Sequence, residues 1–297
     1  MQKISLGLIG VVGIWLTAGL ALPFVNVLDM FSPTQLMVFR GFLTALMVFI
    51  ALRGAVWEVD KYTFFIALVL PLATLGLFEG IRHWGAGPTI IIITATPLVN
   101  FFIGFLSGRR ISPASIVGLV LVLGGVVVAR WGGEFQWTGF LWTLFGTVMN
   151  GILYEFFSKA LPTLETDTIF DKLQKSLTKC FWACMGMGVL GLVLSQGESW
   201  EALSNPVNIQ LLIGFAFVGG FLYWNANLLA FSVLPTTEAS ILAQGETPAV
   251  ILGAHFLLGE SLTLIQWVGV FVALYGAWYL SRWLSEQEKM EALKFKF

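Results

Sequence analysis

Ten continuous apolar runs follow one another along the chain. They lie at about 4–24, 34–52, 62–80, 87–107, 112–130, 138–158, 177–195, 209–230, 237–258 and 263–283, and short clusters of charge, proline and glycine separate them. A bilayer core takes about 20 apolar residues per helix, so each run is long enough to cross it. A β-barrel strand alternates apolar and polar positions, whereas these runs are apolar throughout. The pattern therefore predicts an all-α integral membrane protein with ten transmembrane helices. The first run, in MQKISLGLIGVVGIWLTAGLALPF, has the outline of a signal peptide. It exceeds the roughly 7–15 residues of a signal core and is followed by many similar runs, so it reads as the first span.

Composition removes the soluble alternative. Hydrophobic residues make up 57% of the 297 and charged residues 11%, against about 25% charged in soluble domains. Mean hydropathy is +0.86. The net charge of −1 carries little information, because the charge asymmetry runs across the membrane. With the N-terminus inside, all but three of the 16 basic residues fall on inner segments, the exceptions being Arg82, Arg130 and Arg40. Lysine and arginine bias of this kind predicts both termini cytoplasmic in a plasma (inner) membrane. The stretch TDTIFDKLQKSLTK (166–179) is then an inner connection lying at the lipid surface. Cys180 and Cys184, four apart on one helix face, read as packing residues.

An internal repeat divides the chain. TPLVNFFIGFLSGRRISPASIVGLVLVLGG (96–125) aligns without gaps on TPAVILGAHFLLGESLTLIQWVGVFVALYG (247–276). At that constant offset Thr96 matches Thr247, Pro97 matches Pro248, Gly108 matches Gly259, Gly118 matches Gly269 and Gly125 matches Gly276. Five spans per half is an odd number, so the second half enters the membrane upside down. Arg109 and Arg110 in one loop become Glu260 and Ser261 in its twin. The expected organisation is two inverted five-helix repeats. The first covers 1–131. The second opens with an outer loop and sixth helix at 132–165 and continues over 166–297 with a cytoplasmic tail. Inverted repeats place a shared site near the midplane of many secondary transporters.

These motifs resemble the EamA-like ten-helix branch of the drug/metabolite transporter superfamily. The resemblance rests on Trp15, Pro23, Pro33 and Arg40 in the first half. In the second it rests on Trp224-Asn225, Pro248, Gly259-Glu260, Gly269 and Gly276. It spans nearly the whole chain and implies a carrier fold, but it leaves the substrate open among amino acids, sugars, cations, cofactors and toxic metabolites. The chain departs from the family pattern at Gln244, Gly245 and Glu246.

Ionisable residues inside spans cost about 2.5–3.5 kcal/mol on insertion scales and are functional candidates by default. Four qualify: Arg40, Glu79, Glu155 and Glu246. Glu79 has Arg82 and His83 three and four residues on, and Glu155 has Lys159 four on, so both have helical ion-pair readings beside the functional one. Arg40 has three open readings: a counter-charge for Glu79 or Glu246, a ligand for a substrate carboxylate, or a snorkelling residue. Glu246 has no lysine or arginine within a span's length along the chain. A lone carboxylate there takes up a proton or is met by a cation or arginine. Proton or cation coupling is therefore expected at Glu246, with Glu79 as the second candidate. Pro248 removes the donor for the Gln244 carbonyl and Pro97 the donor for that of Ile93, which predicts helix kinks at matched places in the two halves. Thr236, Ser240, Gln244 and Thr247 form one helical stripe, and Thr89, Thr96 and Asn100 form its counterpart. Glu246 lies about a third of a turn off its stripe. Asn150 with Tyr154 and Tyr223 with Asn227 supply two more polar stripes, each also readable as interhelical glue. The substrate site expected from sequence comprises Glu246, Gln244, Thr247, Arg40, Thr96, Asn100, Asn150, Tyr154, Tyr223 and Asn227.

No catalytic residue, metal ligand or cofactor is expected. His83, at the outer edge, and His255, near the outer end of the ninth run, fall in no nucleophile or metal-ligand pattern, and GxxxxGK[ST], HExxH and GxSxG are all missing. The expected function is secondary active transport of a small polar metabolite, such as an amino acid or amine, by alternating access. Its expected partners are substrate, lipid and protons as candidate coupling ion, with no nucleic acid. The competing reading is a non-transporting scaffold or sensor on the same fold.

Overall fold

The computed structural model describes residues 2–21, 30–57, 59–84, 89, 92–108, 112–130, 136–160, 169–258 and 263–294. Pro23, Arg109, Arg110, Trp131, Gly259, Glu260 and Ser261 lie outside them. Within them the chain is helical: α1 (Gln2–Leu20), α2 (Pro33–Ala51), α3 (Lys61–Trp84), α4 (Thr96–Leu106), α5 (Pro113–Arg130), α6 (Trp137–Ala160), α7 (Ile169–Leu194), α8 (Pro206–Val233), α9 (Thr236–Ala243), α10 (Glu246–Leu258) and α11 (Leu264–Lys294). Six of these, α2, α3, α6, α7, α8 and α11, are long and apolar enough to cross a membrane. The apolar parts of α1, α4 and α5 are shorter. The ninth apolar run is split into α9 and α10, and the fourth is interrupted at Thr94–Ala95 before α4.

Local chemistry sets the ends. Ser32 closes a capping box on α2 with Gln35, and Pro33 occupies the first turn, where its missing N–H costs nothing. The Gly54 N–H returns to Phe49 O at 3.0 Å with φ +81, a left-handed stop that glycine adopts freely. Asn205 accepts from the Val207 N–H to start α8 at Pro206. The expected surface connection over 166–179 differs: from Ile169 onward it is the first part of α7. No proline or glycine lies between Ile169 and Met185 to stop the helix, so its polar start runs straight into the span.

Small residues hold the bundle together. A Cβ on Gly76 would sit 2.5 Å from Gly146 Cα, one on Gly41 2.4 Å from Gly188 N, and one on Gly125 2.4 Å from Ala273 N. One on Gly10 would sit 2.7 Å from Ala230 N. Four helix pairs, α3–α6, α2–α7, α5–α11 and α1–α8, thus approach backbone to backbone, as lipid-embedded helices do when no hydrophobic effect drives them together. The outward faces carry Ile9, Phe102, Phe105, Val120, Leu264 and Phe271, all well exposed. In water these would form a large sticky patch, whereas hydrocarbon solvates them. α9 is the exception: every residue but the half-buried Glu238 is buried, against α1, α4, α5, α6, α8 and α11.

Two polar ties span helices. Ser32 and Thr34 donate to Glu198 at 2.5 and 2.8 Å, joining the start of α2 to the segment after α7. Asp60 accepts from Thr63 N and Oγ1, both at 2.7 Å, and from Lys179 Nζ at 2.8 Å. Burial pushes the Asp60 carboxyl up, but the bonds from Lys179 and Thr63 outweigh this and hold it below its ordinary value.

Gly76→Val should cost about 1–3 kcal/mol by forcing α3 off α6. Gly124→Val, with nothing within 4 Å of its Cβ, should be near neutral; thermal unfolding in detergent compares them. A carboxylate held below its ordinary value stabilises the fold fully above that value, and the contribution is lost as pH falls through the lowered one. Asp60→Asn should therefore lower the melting temperature at neutral pH, and its deficit against wild type should shrink in acid.

Candidate functional site

Helix breaks create the site. At Thr94–Ala95 the chain tightens before α4, where Pro97 lies in the first turn. The Ile93 carbonyl, left without its usual donor by Pro97, accepts from Thr96 Oγ1 at 2.6 Å. Ile92 O accepts from Ala95 N at 2.9 Å and from Thr147 Oγ1 of α6 at 3.3 Å. The second break, at Gln244–Gly245, separates α9 from α10, and Pro248 again lies in the first turn after it. Gln244 O accepts from Thr247 N at 3.1 Å, and Leu242 O from Gly245 N at 3.1 Å and Trp15 Nε1 at 2.9 Å. The Trp15 indole lies on Gly245 so closely that a Cβ there would be 2.2 Å from the ring.

A third irregularity is the π-helical turn Phe217–Leu222 within α8. Its wider winding turns carbonyls off the α ladder. Gly219 O accepts from Arg40 Nη2, and Ala216 O from Thr44 Oγ1 at 3.1 Å. Arg40 is buried, and its guanidinium lies 5.6 Å from the ring centres of both Phe215 and Trp224. Cation–π contacts of this kind strengthen when water is excluded.

These irregular segments enclose a cavity of about 250 Å³. It lies toward the end of the bundle where α1 and α3 finish and α2 and α8 begin. Thr17, Arg40, Thr74, Asn150, Glu246 and Thr247 line it beside Phe78, Phe215, Tyr223 and Trp224. Tyr223 donates its hydroxyl to Glu246 Oε2 at 2.9 Å. Toward the other end, Tyr154 stacks on Phe231 with ring centres 4.1 Å apart, and Phe157 packs edge-on against Trp224.

Of the residues expected from sequence, Glu246, Thr247, Arg40, Asn150 and Tyr223 line this cavity, and Gln244, Thr96, Asn100, Tyr154, Asn227 and Glu79 do not. Gln244 Nε2 donates to Ser240 O at 3.2 Å. Asn100 Nδ2 reaches Gly151 O at 2.7 Å, joining α4 to α6. Asn227 Nδ2 returns to Tyr223 O at 3.0 Å. Asn150 Nδ2 lies 3.5 Å from the Tyr154 hydroxyl. Glu79 faces Arg82 at 3.7 Å and His83 at 3.5 Å. The break at Gly245 resets the helical phase, which is how Glu246 reaches the cavity while the stripe Thr236–Ser240–Gln244 stays buried elsewhere. Sequence reasoning missed Phe215, the Gly219 carbonyl and the role of Trp224. The adjacent Gly219-Gly220 inside an apolar span was the available signal. Pro97 and Pro248 mark where new helices begin instead of bending continuous ones. Among the described residues no cluster of three His, Cys, Asp or Glu is arranged to hold a metal.

Three comparisons with known proteins bear on the chain. The family model described as "EamA-like transporter family" matches residues 137–282. The uncharacterized protein y4nH of Sinorhizobium fredii is 33% identical over 91 residues, covering 28% of this chain and 78% of that protein. A protein of known crystal structure superposes with a TM-score of 0.77 at 16% identity, covering 95% of this chain and 99% of that one, a likeness of fold.

Gly245→Ala should displace the Trp15 indole and lower the melting temperature, and Trp15→Phe should cost about 1 kcal/mol by removing one donor from Leu242 O. Because both act on one contact, the double variant should lose less than the sum of the singles in thermal unfolding.

Proposed function

The chain belongs to the EamA-like transporter family of the drug/metabolite transporter superfamily, and from that premise we propose a secondary carrier for a small polar metabolite, an amino acid, amine or similar solute. The family is one of membrane transporters, not enzymes, and this chain is a multi-pass membrane protein. The observation that carries the reading is the cavity itself. A buried arginine and a carboxylate line one chamber within the bundle, and the Tyr154–Phe231 stack lies toward the end away from it.

Alternating access between two inverted five-helix repeats is the mechanism we infer. The packing supports it, because contacts recur in pairs. Gly13 against Ala226 (α1–α8) has its counterpart in Gly146 against Gly76 (α6–α3), and Gly10 against Ala230 has its counterpart in Thr143 against Gly80. Gly125 against Ala273 recurs as Gly276 against Val122 at the same 151-residue offset that relates Thr96 to Thr247. With both termini cytoplasmic, as the lysine and arginine bias favours, the cavity faces outward and the Tyr154–Phe231 stack closes the inner side. Tyr154 and Phe231 then correspond to Ala21 and Ile81, which line the cavity on the other side. Rocking α1 and α3 together while α6 and α8 part would carry the site to the inner face.

Glu246 is the candidate coupling group. Tyr223 of α8 holds it, and among the described residues Arg40 of α2 and Tyr154 of α6 are further ionisable groups close enough to act on it. Purified protein in vesicles should take up its solute faster with an imposed pH gradient. Glu246→Gln should abolish that pH-dependent component while leaving expression and melting temperature intact. An unchanged pH profile would reject Glu246 as the coupling residue, and no solute movement at all would favour a scaffold or sensor.

A further inference from the structure

Arg40 and Glu246 line the same cavity, yet no ion pair within 4.0 Å joins them among the described residues. Each is instead held from behind. Arg40 gives Nη2 to Gly219 O and lies against Phe215 and Trp224, and Glu246 takes the Tyr223 hydroxyl. A guanidinium carries five N–H donors, and here Nε is buried without an acceptor. The protein therefore fixes two opposite charges in one chamber without pairing them directly, which leaves room for a ligand that carries both charges to meet each of them.

Charge balance in an apolar chamber then restricts what fits. A ligand of one sign would satisfy one fixed charge, face the other as a like charge and leave that one desolvated and unpaired. A neutral solute would leave both unsatisfied. Ala73, Leu77, Phe78 and Val250 supply apolar wall between the polar ends. A volume of about 250 Å³ lies below the roughly 300–1,000 Å³ of pockets for drug-sized ligands. Resting on the carrier reading of this cavity, we infer that it binds a small zwitterion, its carboxylate on Arg40, its ammonium on Glu246 and an apolar side group between them.

Binding can be read without transport, by thermal shift and calorimetry on detergent-purified protein. The probes are free amino acids with apolar side groups, from alanine to phenylalanine, each beside the amine lacking its carboxylate and the acid lacking its amine. For leucine these analogues are isoamylamine and isocaproate. At least one zwitterion should bind saturably, and both of its single-charge analogues should bind roughly a hundredfold more weakly, the scale of losing one buried charge partner. Arg40→Gln should shift preference toward the amine and Glu246→Gln toward the acid. Arg40→Lys, which keeps the charge, should keep the zwitterion preference.

The inference fails if no zwitterion of the set binds, or if an analogue matches its parent on wild-type protein. It also fails if folded Gln variants lose all ligands without the crossed preference. If vesicles move a singly charged solute while zwitterions do not bind, this assignment is rejected and the carrier reading stands. Zwitterion binding without any solute movement would do the reverse.

Discussion

No water reaches the apolar middle of a bilayer, so a helix broken there must find partners for its released backbone groups within the protein itself. This constraint organises the structure around three irregular places. Thr96 and Thr147 serve the carbonyls before α4, Trp15 and Thr247 serve those between α9 and α10, and Arg40 with Thr44 serves those of the π-helical turn in α8. Every one of these donors except Thr96 and Thr247 comes from a different helix than the carbonyl it satisfies. The breaks are therefore also the joints between helices, and the cavity lies where they meet.

The same groups do both structural and chemical work. Arg40 is held by the Gly219 carbonyl, which lies in the turn where α8 widens at Phe217–Leu222. Glu246 is in the chamber only because the chain restarts after Gly245, and Gly245 must be glycine because the Trp15 indole lies on it. A charge in an apolar wall is tolerable when packing fixes it and a partner hydrogen-bonds it. Tyr223 fills that role for Glu246, and the Phe215 and Trp224 rings with Gly219 O fill it for Arg40. Glu79, with Arg82 and His83 on its own helix, needs no such support.

Much of the fold was legible in the chain. The apolar runs marked the helices, six of which are long and apolar enough to cross a membrane among the described residues, because hydrocarbon tolerates no other exposed surface over that length. Matched Thr-Pro pairs marked the two places where a run could not stay one helix, since proline withdraws a backbone donor wherever it falls. Glycines at 76, 146, 41, 188 and 125 mark the tight crossings, although sequence shows only that they are small and not which backbone each meets. The site was half legible. Ionisable residues in spans drew attention to Arg40 and Glu246, and polar stripes to Asn150 and Tyr223, while Gln244, Asn100 and Asn227 carried the same signal and turned out to bond within or between helices.

What the sequence alone determined, then, is everything that depends on a residue's own chemistry against lipid: which stretches cross, where they break, and which side chains are too polar to be there without cause. Tertiary structure decided the rest. Helical phase does not survive a break, so the direction in which Glu246 points was set by how α10 docks on α1 and not by counting residues along one wheel. Whether a polar group meets a backbone carbonyl or an open chamber depends on a neighbour many residues away, as Arg40 and Gly219 do across α2 and α8, and no local pattern in either helix encodes that meeting.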